Sequence, residues 1–575
     1  MKSSFLSLLA LSVTGAYAQG RARGNNTAPA RPSTNATGFD YIVAGGGAAG
    51  IVVAQRLVES GKSVILLERG GASTHSTGGN ASVPWNSTVT PYDVPALFLA
   101  APGSSYCTDT AGSAGCVLGG GTVINAMMYV HPQSADFNDK FPKGWKWDDV
   151  KDAAARLYER IPGTTTPSAD GKRYDQGGYD VLSKFLSTAG FRSVDTVANP
   201  DEKKDVFTQP PWMINKGIRS GPVQGYLSLT AGKKNFRLQT NCKVLRAVRT
   251  DSTVTGVEVE MADGKREVIS LSDPKTGKVI LAAGAMSTPK ILYASGIGQP
   301  QQIVSAAKAN GVQLPDRKAL ISSPVGQGVM DHPVFSLDLK MKNSSSSANL
   351  ESIDGAALLK SPPKEDIDLF AKGSGLLAQS TQRLNFWSEV GGDAAGDGQR
   401  RFFQGTCSVG ANDTLKIKVY MTHGLTSTGE LTINATSGAT AWAKKPWMNS
   451  DGDKKAAAAF LDRIIAMVKA PESNLALVKP NVTGAELAQS FVSGSHYVGS
   501  ARMGEDSKTA VVDTNTKVYG TDNLHVVDAS IHPDVPTGNT QVAVMIVAEG
   551  AAEKIMKMNG PKKAKMPQQE DALGI

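Results

Sequence analysis

Cysteine is scarce: only Cys107, Cys116, Cys242 and Cys407 occur in 575 residues. None stands at zinc-ligand spacing, and the set is too thin for a disulfide-built scaffold. Long apolar runs are missing too. No segment beyond the N-terminus reaches about 18 uninterrupted apolar residues, so no membrane span is expected. A dense field of one charge is also absent. The 60 basic and 52 acidic residues leave a net +8 that is widely dispersed. The tightest basic group is Lys562, Lys563 and Lys565, so nucleic-acid binding is not expected. The 60 glycines follow no Gly-x-y period, which excludes a collagen-like chain. What is present is ordinary globular material, 41% hydrophobic and 19% charged, enough for one large core or two joined ones. At roughly 150 residues per domain the length allows about four domains.

The first residues read as an address. Lys2 supplies a positive start, Phe5 to Val13 an apolar stretch, and Ala16-Tyr17-Ala18 a small-x-small cleavage site before Gln19. Residues 1–18 are therefore expected to be a signal peptide, with a buried N-terminal helix as the alternative. Residues 19–37 have little to bury and read as a disordered leader, and 559–575 as a flexible tail. The expectation is a secreted protein. Asn-x-Ser/Thr sequons at Asn25, Asn35, Asn80, Asn86, Asn343, Asn412, Asn434 and Asn481 fit export and glycosylation. Cys107 and Cys116 would close a short loop; a disulfide is expected in an oxidising compartment, and two buried thiols are the alternative.

The strongest local signal follows. Phe39 to Ala44 is β-prone, Gly45-Gly46-Gly47-Ala48-Ala49-Gly50 forms G-x-G-x-x-G, Ile51 to Val58 has helical spacing, and Ser63 to Glu68 is a second strand ending in an acid. Gly45 permits the tight turn, Gly47 lets backbone approach a pyrophosphate, and Gly50 lets helix and strand pack closely. Glu68 stands where a carboxylate accepts hydrogen bonds from ribose hydroxyls. This is a dinucleotide fingerprint; the alternative is a glycine turn with no ligand. An exported enzyme has no steady supply of a diffusible nicotinamide, so a retained FAD is the expected cofactor.

Further motifs resemble the glucose–methanol–choline (GMC) flavin oxidoreductases from about Asp40 to Ile555. Gly119-Gly120-Gly121-Thr122-Val123-Ile124-Asn125-Ala126-Met127-Met128-Tyr129 resembles the family's flavin-facing segment. Gly284 to Lys290 with Ser295-Gly296-Ile297-Gly298 resembles its second signature, and Asn523 to Ala529 with Pro536 to Thr540 its C-terminal block. The likeness is greatest to the flavin domain of fungal cellobiose dehydrogenases, carried by Glu68 to Thr74, Gly221-Pro222-Val223, Tyr226-Leu227, Leu384 to Trp387 and Gln404-Gly405-Thr406. The resemblance implies an α/β fold: a Rossmann-like FAD-binding domain (38–135, 238–335 and 508–558) interleaved with an α+β substrate domain (136–237 and 336–507) on an antiparallel sheet. From the residues themselves, Lys278 to Gly284 and Leu524 to Val527 read as strands, and Gln541 to Met556 as a helix. Lys454 to Lys469 reads as amphipathic.

Oxidising an alcohol means removing a hydroxyl proton and a hydride from one carbon. A flavin takes the hydride, and the protein supplies a base, for which histidine is suited. The residues alone leave the choice open among seven histidines, at 75, 131, 332, 423, 496, 525 and 532. The resemblance selects His496 as base and Asn539 as its hydroxyl-orienting partner. It places Gly45, Gly47, Gly50, Glu68 and Val244 on the ADP moiety. Gly121, Thr122, Asn125 and Met127 would line the flavin, with Asp528 and Ala529 reaching the flavin and pyrophosphate. Val123 and Ile124 stand where some members carry a flavin-linking histidine, so non-covalent FAD is expected. Ser495 stands where the cellobiose-oxidising relatives have asparagine. The stretch Ser427 to Glu430 lacks their arginine, and Asp175 replaces a glutamate. A sugar or another alcohol is therefore expected rather than cellobiose specifically, with Ser495 at the substrate. Phe386 and Trp387 would stack on a sugar face, with ordinary core aromatics as the alternative. No haem domain is expected before the first strand. Electrons are expected to pass to a quinone, O2 or a redox protein, a dehydrogenase being favoured over an oxidase. No metal is expected. The rivals are a non-redox GMC cyclase or lyase keeping FAD structurally, and a binding protein without turnover.

Overall fold

A computed structural model describes residues 38–342, 350 and 352–558. The expected signal peptide, leader and tail, the sequons at Asn25, Asn35 and Asn343, and the basic group at 562–565 lie outside the described residues. The segment Tyr41–Ala44 is apolar at every position because both faces of its sheet are covered, the pattern of a buried parallel strand. It pairs in parallel with Val64–Leu67 on one side and Lys278–Leu281 on the other. Leu524–Val526 and Phe236–Gln239 complete a five-stranded all-parallel sheet as its two edges. The helix Ala48–Glu59 returns the chain from the first strand to the second, and the C-terminal helix Gln541–Met558 packs beside it. Glu549, fully buried in that helix, accepts from the Tyr226 hydroxyl at 2.7 Å and pairs with Arg56 at 3.0 Å.

A second architecture stands beside the first. Eight strands form a sheet whose centre, Gln382–Val390, Arg401–Val409 and Leu415–Met421, is antiparallel. Alternation along it sorts side chains by face. Phe403 stacks on Phe460 of the helix Asp451–Lys469, with ring centroids 4.2 Å apart. That helix starts at Ser450, whose hydroxyl accepts from the Asp453 amide. Gln404 and its cross-strand neighbour Tyr420 point to the opposite face. A parallel sheet with separate antiparallel sheets is thus the observed α/β architecture.

Cys107 and Cys116 are joined in a disulfide with Cα atoms 5.1 Å apart, while Cys242 and Cys407 are buried thiols. Asn80, Asn412, Asn434 and Asn481 are exposed, and Asn86 is half-buried. Among the described residues no helix is long and apolar enough to cross a membrane, and no cluster of metal-ligating side chains occurs.

Candidate functional site: a glycine cradle joined to a histidine–asparagine pair

The turn after Tyr41–Ala44 opens a cavity of about 600 Å3. Gly45 has φ +115°, which a side chain would strain, and its N–H donates to the Leu67 carbonyl at 2.7 Å. A Cβ on Gly50 would sit 1.9 Å from the Gly45 carbonyl oxygen, so only glycine lets this helix approach the strand. A Cβ on Gly47 would meet nothing within 4 Å, because Gly47 borders the cavity. No side chain caps the helix, and its first residues, Ala48 and Ala49, line the same space. A helix start of this kind offers N–H groups to an anion.

Glu68 ends the second strand and faces the cavity. Its carboxylate accepts from the Gly46 amide at 2.8 Å and the Gly70 amide at 2.7 Å. Burial raises its pKa, against those two amides. Each oxygen keeps acceptor capacity for a hydroxyl. Val244 and the cations Arg69, Lys243 and Lys290 line the space nearby. The three cations gather on Asp109 inside the disulfide loop. Burial pushes the Asp109 carboxyl up, but Arg69 and Lys290 outweigh it and hold the group well below its usual range. These residues fit a dinucleotide: a glycine-walled approach, an uncapped helix start and an acid at the end of the second strand.

The wall continues through Gly121, Thr122 and Asn125. The Asn125 amide donates to Gln541 at 2.8 Å and accepts from the Met127 N–H at 2.9 Å. Arg219, fully buried, grips this turn by donating to the carbonyls of Thr122 at 3.0 Å and Asn125 at 2.8 Å. Asp528 accepts from Gly284 N–H at 2.9 Å and Thr288 hydroxyl at 2.6 Å, and with Ala529 it borders the cavity.

At the same cavity stand Ser495, His496 and Asn539. His496 is held from both ends by two consecutive residues. Asp331 accepts from its backbone N–H at 2.6 Å, and His332 meets its ring, Nδ1 to Nδ1, at 2.9 Å. Ser495 takes φ +57° to make the turn that presents the ring. Asp331 also accepts from Trp447 Nε1 at 2.7 Å and the Ser493 hydroxyl at 2.6 Å. Burial pushes the Asp331 carboxyl up to about 6, opposed by those donors.

The hydrogens of this chain follow from one carbonyl. His332 Nε2 lies 3.1 Å from the Pro536 oxygen, which can only accept, so Nε2 of His332 carries the proton. Its Nδ1 is then an acceptor, and His496 Nδ1 donates to it. That leaves His496 Nε2 with a free lone pair, 3.2 Å from Asn539 Nδ2, which donates to it. The outer nitrogen of His496 is therefore basic. Burial pushes its pKa down to about 4 and that of His332 well below the usual value, so both rings are neutral at pH 7.

Four expected site residues do not reach the cavity. Gly50 acts one layer behind it, through close packing. Met127 is fully buried with φ +59°, and Met128 borders the space in its place. Phe386 and Trp387 are also fully buried, which corrects the expected stacking on a sugar. Their strand is flanked on both edges and covered on both faces, so consecutive side chains are both interior. Phe386 meets Phe191 edge-on with centroids 5.8 Å apart. Asp331 and Arg219 were not singled out from sequence; His332 was visible only as one histidine of seven, and Gln404 only within a stretch quoted for the family likeness, with no role attached.

The GMC oxidoreductase family profile matches residues 39–334 with its N-terminal part and 426–548 with its C-terminal part. The chain is 26% identical to an oxygen-dependent choline dehydrogenase of Sinorhizobium medicae (strain WSM419) over 557 residues, covering 90% of this chain and 95% of that protein. A protein of the same description from Sinorhizobium fredii is 28% identical over 553 residues, with the same coverage. Among solved structures, a formate oxidase variant from Aspergillus oryzae RIB40 superposes with TM-score 0.73 at 21% identity, covering 92% of this chain and 99% of that one. A fungal aryl-alcohol oxidase superposes with TM-score 0.68 at 16% identity, covering 91% and 99%. At such identities the superpositions speak to the fold, and the profile matches speak to descent: the chain belongs to the GMC oxidoreductase family.

Proposed function

We propose that this protein is a secreted FAD-dependent oxidoreductase that converts a CH–OH group of a sugar or another alcohol to a carbonyl, with His496 as general base. The observation that carries the reading is the basic Nε2 of His496, beside an amide donor, on the wall of the cavity that also holds the glycine cradle. Gly45, Gly47, the helix start and Glu68 would hold the ADP part, and Thr122, Asn125, Asp528 and Ala529 would face the flavin. When bound there, FAD supplies the two-electron acceptor for the hydride at its N5.

The residues supply the rest. A substrate hydroxyl entering between His496 and Asn539 donates its hydrogen to Nε2 and accepts from Nδ2 of the amide. As the hydride leaves, the hydroxyl proton moves to Nε2, and the amide hydrogen bond strengthens on the oxygen as charge gathers there. His332 Nδ1 still accepts from His496 Nδ1–H, so the resulting imidazolium keeps its place. Choline and aryl alcohols, named for relatives, are CH–OH donors and favour the same class here. Asp175 is engaged in a buried ion pair with Arg383, which supports a simpler sugar or alcohol over cellobiose. Two electrons then pass to a quinone, a redox protein or O2, with a quinone or redox protein favoured.

An anaerobic screen of flavin bleaching with D-glucose, cellobiose and benzyl alcohol tests the reading, followed by re-oxidation with O2 and with a quinone. A flavin that no CH–OH donor bleaches overturns it. His496→Ala is expected to keep FAD and slow bleaching by about 10²–10⁴-fold; an unchanged rate removes the base. Val123 and Ile124 offer no nucleophile to the flavin, so acid precipitation is expected to release all the FAD into the supernatant. Yellow colour retained in the pellet overturns non-covalent attachment.

A further inference from the structure

We infer that Gln404 is a positioning residue: it fixes which end of the Asn539 amide faces the base. The inference rests on the reading above, in which His496 Nε2 is the proton acceptor. Gln404 lies on the central strand Arg401–Val409, on the face it shares with Tyr420, and is 1% exposed. Its Nε2 donates to Asn539 Oδ1 at 3.1 Å and lies 3.4 Å from the Thr406 hydroxyl.

An asparagine amide has two ends of nearly equal shape and opposite function. With Nδ2 toward His496, the amide can donate to a substrate oxygen. With Oδ1 toward His496, it would accept, and so favour a proton on Nε2 that blocks the base. The lone pair of His496 favours Nδ2 from the front, and Gln404 holds that orientation from behind, where its N–H meets Oδ1. The ordered chain runs from the Pro536 carbonyl through His332, His496 and Asn539 to Gln404, and the polarity of each link follows from the one before it. The glutamine joins the antiparallel sheet to a pair that sits on two other segments.

Gln404→Glu inverts the last link, because an ionised carboxylate only accepts. The amide turns over, Oδ1 meets Nε2, and the imidazolium is stabilised. The titratable groups around His496 are His332, Asp331, Tyr420 and Tyr497, and all stay in place. The test is a carbon-13 histidine NMR titration of the full chain with its cofactor, the His496 signal being assigned by its loss in His496→Ala. In Gln404→Glu the His496 midpoint is expected to rise by more than one pH unit, with a smaller rise in Gln404→Met. When Asn539→Ala has removed the amide, the Gln404→Glu rise is expected to shrink to the part that the new charge alone supplies, and the Gln404→Met rise to vanish. An unmoved midpoint overturns the inference. So does a rise that is undiminished in Asn539→Ala, since the new charge alone would then account for all of it. If Gln404→Glu does not fold, Gln404→Met decides: a rise only with Asn539 present supports the inference, and no rise, or a rise on both backgrounds, overturns it. Bleaching in His496→Ala is a separate readout. If it is unimpaired the base assignment falls, while a shifted midpoint still establishes the amide order.

Discussion

At the scale of single residues, the site is a matter of where hydrogens sit. A buried neutral His496 has an acid-base consequence. Its folded pKa is about 4, below the ordinary value near 6.5, and only the neutral ring can take a proton. The rate of flavin reduction is therefore expected to stay level from pH 8 down past pH 6 and to fall only as pH drops toward about 4. Stopped-flow bleaching across pH checks this, and an acid limb centred near 6.5 would show that burial does not depress the base. Little of this arrangement was legible in the sequence. His496 came from a family likeness, and the residues alone left seven candidates. His332 and Gln404 lie 164 and 135 positions from the residues they hold, and no local pattern reports a contact at that separation. Phe386 and Trp387 were open between sugar stacking and ordinary core aromatics, and a central strand covered on both sides places them in the core.

At the scale of elements, the strand–turn–helix at the start was legible because its rules are local. Tyr41–Ala44 is apolar throughout, the glycines stand where the turn needs them, and Glu68 closes the second strand. Lys278–Leu281 and Leu524–Val526 were readable as strands for the same reason, although their neighbours in the sheet were not. The glycines do separable work. Gly50→Ala places a methyl against the Gly45 carbonyl, and overpacking of that kind costs about 1–3 kcal/mol. It is expected to lower the melting temperature with or without cofactor. Gly47→Ala meets no protein atom and projects into the cavity. It is expected to leave the melting temperature of the cofactor-free protein unchanged while weakening FAD retention. Thermal melts of both variants, with flavin content measured after gel filtration, check the pair; equal loss of stability in both would contradict this division.

At the scale of the whole molecule, His423 ties separate regions together. It follows the strand Leu415–Met421 and faces Asp139 at 2.8 Å, Asp534 at 3.4 Å and Asp136 at 3.8 Å. Burial pushes its pKa down, but the three carboxylates outweigh that and raise it to about 9. A raised histidine contributes stability that is complete below about pH 6.5 and is lost as pH rises through about 9. His423→Gln is therefore expected to cost on the order of 3 kcal/mol at pH 6 and much less at pH 10, read by denaturant unfolding at both. A cost independent of pH would mean that the ring is neutral. The segment held by Asp534 carries Pro536 and Asn539, so this tie also steadies the far end of the proton-ordering chain. The parallel sheet has one more consequence. Its strands come from widely separated parts of the sequence, and the edge strand Leu524–Val526 follows the other four by more than 200 residues. The nucleotide-binding face is therefore whole only once that late strand arrives, and loading of the prosthetic group follows its arrival rather than guiding the earlier strands.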